Sequence, residues 1–386
     1  MSEFNLQKGS SFIENALTVK NNFWRYVLGI FIIFIFTQIG SIPFIVAIFN
    51  KVGLEGAADL DPSTMMTILE NSNLTFFYTL FTFFVGFIGF IIVIKYLHNQ
   101  SILSITSSRK TIDYKRILTS FTAISTILVL NILFSFLITP EDYILQFNLN
   151  DFLILLLIAV IFIPIQTSLE EYIFRGYLMQ GIGIVVDLKK SLYHVIIVIL
   201  CAIIYMKFLY FEINFFEILL NVLAFLMFYS IVIFTMDSLR VSNKILKSSI
   251  YIFLYEIFRR KSTPLLITSL TFGFLHFYNP EIMKLGSILL VHYVATGLFL
   301  GIITLMDDGT ELALGFHAGN NLLIALVVTA DWTVFQTSSI LKYIGEPNVI
   351  NQSLFSLSII YPILLFYFSR KYNWTNWKDK LTGKVK

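Results

Sequence analysis

Long apolar blocks separated by short polar or basic stretches set the pattern of this chain. A block must run about 20 residues to cross a bilayer. Blocks of that order lie near 24–49, 74–97, 115–138, 152–170, 192–211, 215–236, 264–278, 284–306, 309–330 and 353–369. The pattern predicts an all-α fold, a polytopic transmembrane helix bundle of about ten spans. The block at 264–278 is short, and 192–211 carries Lys207 near its end. The first twenty residues are polar and hold no apolar signal core, so 24–49 is expected to be a retained span. Pro43 within it is expected to kink the helix, because proline removes a backbone hydrogen bond and crowds the preceding turn.

Charge tests this map independently, since apolarity alone defined it. With the N-terminus inside and ten alternating spans, the cytoplasmic segments hold 19 Lys/Arg and the external ones 3. Both termini are therefore expected in the cytoplasm, with the basic clusters at 237–263 and 370–386 fixing the second half.

Composition agrees. Apolar residues make up 57% of the 386 and charged residues 13%, against about 25% charged in a soluble domain. A net charge of +3 gives no argument for a nucleic-acid partner. The single cysteine, Cys201, excludes an intrachain disulfide and a cysteine-based metal site. Richness in Phe, Ile, Asn and Lys points to a bacterial source, and hence to a multi-pass protein of the bacterial plasma membrane. No soluble domain, Gly/Ser linker or fixed-period repeat interrupts the pattern.

Ionisable groups at membrane depth cost about 2.5–3.5 kcal/mol each on insertion scales, so they face a cavity or a partner and are candidates for function. Three compact groups stand out: Glu170-Glu171-Tyr172-Ile173-Phe174-Arg175 at the end of the fourth block, Phe272-Gly273-Phe274-Leu275-His276 in the seventh, and His317-Ala318-Gly319-Asn320-Asn321 in the ninth. In each, key partners stand four apart and share a helical face. Glu171 and Arg175 form an i,i+4 ion pair, which leaves Glu170, about 100° away on the helix, free to face the interior as a general base. The plainer alternative is an ordinary charged helix end. Among the other histidines, His98 beside Asn99 and Gln100 reads as solvated. His194 reads as structural, and His292 as a hydrogen-bonded core residue. His276 and His317 differ in having small neighbours (Gly273, Ala318, Gly319) that leave room beside the ring. One carboxylate, two imidazoles and an amide on three helices supply the parts for water activation and an oxyanion site. No Gly-x-Ser-x-Gly elbow, Ser/Lys dyad, His-Glu-x-x-His or phosphate loop competes.

These groups resemble the motifs of the CPBP family, the CAAX-protease and bacteriocin-processing intramembrane endopeptidases: Glu-Glu-x-x-x-Arg, Phe-x-x-x-His and His-x-x-x-Asn/Asp, in that order. The resemblance covers about residues 150–330. It implies a glutamate-dependent hydrolysis of a peptide bond in a membrane-associated protein or peptide. Glu170 with His276 would orient and deprotonate water, and His317 with Asn321 would stabilise the oxyanion. Glu171 and Arg175 would brace the first motif, and Phe272 would shape the pocket. No cofactor is favoured; a zinc-dependent version would use Glu170, His276 and His317, enough for a catalytic zinc with its water. The rival class is non-catalytic, a bacteriocin-immunity or scaffold protein or a transporter.

The chain departs from the family in the long stretch between Arg175 and Phe272. Residues 1–149 are then three N-terminal spans, 150–330 a protease core with a two-span insertion near 181–262, and 331–386 a last span and basic tail. Depth leaves a tension. At about 1.5 Å per residue, His276 lies about 18 Å and His317 about 12 Å from the cytoplasmic ends of their blocks, whereas Glu170 ends its own.

Overall fold

A computed structural model describes residues 11–58, 60, 62–206, 215–346 and 355–385. The fold is mostly helical. In chain order the helices are α1 (Phe23–Ala58), α2 (Pro62–Thr67), α3 (Ser72–Ile92), α4 (Ile102–Thr106), α5 (Tyr114–Ile138), α6 (Leu149–Glu171), α7 (Met179–Asp187), α8 (Lys189–Met206), α9 (Phe215–Ser238), α10 (Val241–Lys247), α11 (Ser249–Phe258), α12 (Ser262–Leu275), α13 (Pro280–Leu285), α14 (Leu289–Asp307), α15 (Glu311–Val327), α16 (Tyr361–Lys371) and α17 (Trp377–Thr382). Side-chain caps start several of them. Asn71 accepts from the Leu74 amide, Asp113 from those of Lys115 and Arg116, and Asn148 from those of Asn150 and Asp151. Each satisfies orphan donors of a first turn.

Among the described residues, five helical segments are long and apolar enough to cross a membrane: Phe23–Gly53, Ser72–Leu97, Tyr114–Ile138, Leu149–Val186 and Leu289–Asp307. A sixth is reached if Ala224–Ser238 and Val241–Lys247, bent by 79°, count as one span. These segments fit a multi-pass integral membrane protein. The other expected blocks are shorter helices. That at 264–278 stops at Leu275, and that at 309–330 is the 17-residue α15. The blocks at 192–211 and 353–369 fall partly outside the described residues.

Helix α1 runs on through Pro43 and leaves helical geometry at Gly53, at φ 75°. The all-α expectation is corrected in one respect. The fold also holds a small three-stranded sheet, in the order Tyr143–Leu145, Leu341–Tyr343, Val328–Thr329. It ties the α5–α6 connection to the chain leaving α15.

The bundle is held by α1 on α3, α3 on α6, α5 on α15, α6 on α15 and α12 on α14. Small residues set these approaches, as expected where apolar lipid gives helices no hydrophobic reason to associate. A Cβ on Gly315 would lie 2.0 Å from the Ile117 carbonyl oxygen, and one on Gly319 2.9 Å from that of Phe121. Between α12 and α14, Gly273 meets Val294 and Gly297 meets the Ser269 carbonyl. Gly273 and Gly319 therefore bring helices together instead of opening space beside the histidines. The first three long helices belong to the same bundle, since α3 and α5 pack directly on α6 and α15. At the start of α15 a charged knot fixes the helix. Arg109 donates to Glu311 at 3.1 Å and to Asp307 at 2.9 Å, and Asp307 also takes Arg116 and the Trp374 indole.

Candidate active site

Helix α6 does not end at the first motif. It passes without a break into a π-helical segment, Tyr172–Leu178, and then into α7, so Leu149–Val186 is a 38-residue run. Glu170, Glu171 and Arg175 sit within it, and the expectation of a charged helix end is overturned. π-Segments inside α-helices concentrate at functional sites.

Adjacent residues on a helix diverge by about 100°, yet one ring joins the two glutamates. His317, on α15, places Nδ1 2.7 Å from Glu171 Oε1 and Nε2 3.6 Å from Glu170 Oε2. Glu171, fully buried, also takes Arg175 Nη1 at 3.2 Å. The expected Glu171–Arg175 pair is present, but His317 shares the same carboxylate oxygen. Arg175, itself 1% exposed, donates on to the Gly297 carbonyl and lies 4.2 Å over the Phe272 ring. A carboxylate accepts hydrogen bonds, so His317 carries a proton on Nδ1 toward Glu171, and in the neutral ring the Nε2 lone pair faces Glu170. In that form two acceptors face each other 3.6 Å apart with no proton between them, a gap that one water donating to both can bridge.

His276 stands where α12 ends. Its Nδ1 donates to the Phe272 carbonyl at 2.7 Å, leaving Nε2 as the acceptor. The ring lies 4.7 Å from Phe272 and is stacked 4.1 Å from Tyr293. Phe272 also lies 6.1 Å from His317 and 5.4 Å, edge-on, from Phe174. It thus joins the three motifs through one aromatic ring. Asn321, one turn beyond His317, donates to Gln166 Oε1 at 3.2 Å and accepts from Asn320 at 3.1 Å. Gln166 donates in turn to Glu170 Oε1 at 2.5 Å.

All seven residues singled out by sequence thus fall in one neighbourhood. Two contributors were missed, Gln166 and Tyr293. Gln166 carried a signal, an amide in an apolar block four residues before Glu170. Tyr293 carried none beyond its place beside His292. Two histidines differ from expectation. His98 is fully buried, bonded to Tyr177 Oη and to the Lys20 carbonyl at 2.7 Å each, and burial lowers its pKa. His292 Nδ1, among the described residues, has no hydrogen-bond partner. Glu170, His276 and His317 do not converge as a ligand set: among the described residues, no three His, Cys, Asp or Glu side chains are arranged to hold a metal.

Comparison with known proteins bears on the same region. Residues 250–323 match the family described as type II CAAX prenyl endopeptidase, Rce1-like. That stretch includes the second and third motifs and stops short of the first. The chain is also 22% identical, over 346 residues, to the uncharacterized protein YyaK of Bacillus subtilis (strain 168), covering 88% of this chain and 89% of YyaK. No solved structure matches. Over residues 250–323 the chain is thus similar to the Rce1-like CAAX prenyl endopeptidases, and over most of its length it is a distant homologue of YyaK.

Proposed function

We propose that the chain is a glutamate-dependent intramembrane endopeptidase acting on a membrane-associated protein or peptide. The observation that carries the proposal is the single imidazole of His317 set between two glutamates, one engaged with Arg175 and the other left with a free oxygen.

The chemistry follows from the donors and acceptors. A water spanning Glu170 Oε2 and His317 Nε2 gives a proton to Glu170 and its oxygen to the scissile carbonyl carbon. The carbonyl oxygen becomes an oxyanion, and Asn321 keeps one N–H beyond its bond to Gln166 for it. The C–N bond then breaks, and the proton held by Glu170 leaves with the amine. His317 can serve as an oxyanion donor only once Nε2 is protonated, and the Glu171 carboxylate at Nδ1 stabilises that imidazolium, as an acidic partner does in a catalytic triad. His276, its Nε2 free, supports the water side. Phe272 keeps the rings apart and the guanidinium covered.

The same reading places both termini in the cytoplasm with about ten crossings, on the strong charge asymmetry of the loops. It treats 150–330 as the protease core and 181–262 as an insertion within it. Helices α8 to α11 of that stretch pack on one another around Tyr193, Ile197, Cys201 and Tyr251.

Cleavage of a fluorogenic peptide panel, prenylated and unprenylated, by detergent-purified full-length protein tests the proposal. Glu170→Gln is expected to lose at least about 10³-fold in kcat/KM, within the span of general-base catalysis. Wild-type rates in Glu170→Gln would overturn it. Activity that survives a strong chelator supports the metal-free route, and loss restored by zinc turns the proposal to the metalloprotease.

A further inference from the structure

We infer that Gln166 is a positioning residue of this centre: its side-chain amide, together with Asn320, holds the Glu170 carboxylate and the Asn321 amide in one hydrogen-bonded frame. The inference rests on the proteolytic role proposed above for Glu170 and Asn321.

The direction of every bond in the frame is forced. The Glu170 carboxylate accepts, so the nitrogen of Gln166 faces it, at 2.5 Å. That leaves the Gln166 oxygen to receive Asn321 Nδ2 at 3.2 Å, and the Asn321 oxygen to receive Asn320 Nδ2 at 3.1 Å. Three amides thus point the same way, Asn320 to Asn321 to Gln166, and the row ends on an anion. Aligned donors polarise one another, and the last bond is charge-assisted. Gln166 is 5% exposed on an apolar helix, where an amide left without partners is costly.

Two consequences follow for the reaction. With Oε1 of Glu170 occupied by Gln166, Oε2 is the oxygen left for a proton, and Oε2 is the one that faces His317 Nε2 at 3.6 Å. Asn321, with its oxygen engaged by Asn320 and one N–H by Gln166, cannot flip its amide. Its remaining N–H is the donor it has left to offer, which suits it to an oxyanion. Gln166 therefore selects the reactive oxygen of one partner and the orientation of the other while standing one turn behind the chemistry.

The test uses Gln166→Met, of similar length and without hydrogen bonding, in the full-length detergent-purified protein. We expect kcat to fall about 10- to 100-fold, the range typical when a supporting hydrogen-bond partner is lost, with KM unchanged within about twofold. Asn321→Ala should cost clearly less in the Gln166→Met background than in wild type, because coupled residues are non-additive. Wild-type kcat in Gln166→Met, or effects that simply multiply, would overturn the inference while an inactive Glu170→Gln keeps the proteolytic reading. Thermal unfolding of Gln166→Met, Glu170→Gln and the double variant decides the frame without any substrate. The melting-temperature loss from Gln166→Met should shrink once residue 170 is neutral, and additive losses would overturn the frame. Should Glu170→Gln cleave peptides like wild type, the proteolytic reading falls and this unfolding cycle still tells whether Gln166 and Glu170 are coupled.

Discussion

Replacing Arg175 by methionine removes the one permanent cation from the buried centre. Arg175 is 1% exposed and Glu171 fully buried, so no water takes over the vacated bonds. Glu171 Oε1 would keep only His317 Nδ1, and among the described residues Oε2 already lacks a partner. Breaking a buried pair by removing one partner costs about 3–5 kcal/mol, because the remaining charge stays buried and uncompensated. Methionine fills much of the volume, so the loss is electrostatic more than a cavity effect. It corresponds to roughly a 10²- to 10³-fold or larger drop in the folded-to-unfolded ratio, at about 1.4 kcal/mol per tenfold. The assay is reversible unfolding of detergent-solubilised protein by titration with a denaturing detergent. The double variant Arg175→Met/Glu171→Gln discriminates. A neutral amide at 171 still accepts from His317 and leaves no buried anion, so it should recover half or more of the loss. An Arg175→Met protein within about 1 kcal/mol of wild type, or a double variant less stable than the single, would refute the reasoning, since surface-type pairs are worth no more than that.

Two further outcomes follow from the packing. Gly315→Ala drives a methyl to 2.0 Å from the Ile117 backbone oxygen, and neither atom lies at the end of a flexible side chain. Overpacking of this kind costs about 1–3 kcal/mol or more, so the variant should melt measurably earlier; an unchanged melting temperature would show that α5 and α15 approach less closely. Glu281, on α13 between α12 and α14, is half-buried and accepts the Val334 amide at 2.8 Å; desolvation raises its pKa from the ordinary carboxylate value despite that bond. The folded state then holds this proton more tightly than the unfolded one. The contribution is full below the unfolded value of about 4.3 and declines as pH rises through the folded value. Glu281→Gln should flatten the fall in melting temperature from pH 5 to pH 8, and an unaltered slope would remove Glu281 as its source.

Much of the site was legible because its spacing is local. Glu171 and Arg175, and Phe272 and His276, are four apart, and a helix brings such residues to one face wherever the helix sits. Their contacts, 3.2 Å between charges and 4.7 Å between rings, need no knowledge of the rest of the fold. What sequence did not reveal is non-local. That His317 reaches both glutamates depends on where α15 crosses α6, and the crossing is set by Gly315 and Gly319 against α5. His98 looked solvated because Asn99 and Gln100 follow it. In the fold the chain turns back, and Gln100 is buried on Gln180 as His98 is on Tyr177. The same holds for length. An apolar run locates a helix but not its end: the fourth block stops at the motif whereas the π-segment carries α6 on, and the block at 264–278 runs past the break at His276.

That extension removes the tension in depth. If Glu170 ended its helix, the histidines about 12 and 18 Å from the ends of theirs would lie far above it. Within a 38-residue run it can meet them at mid-helix. The arrangement also gives a reason for two adjacent glutamates where one base would serve. Side chains about 100° apart on one helix address the two nitrogens of a single imidazole from different sides. The four carboxylate oxygens then divide. Glu171 Oε1 is held by Arg175 and His317, and Glu171 Oε2 is buried. Glu170 Oε1 is held by Gln166, which leaves Glu170 Oε2 opposite His317 Nε2. On the proposed reading, Arg175 commits one glutamate to structure, Gln166 leaves a single oxygen of the other for chemistry, and the imidazole between them couples the two roles.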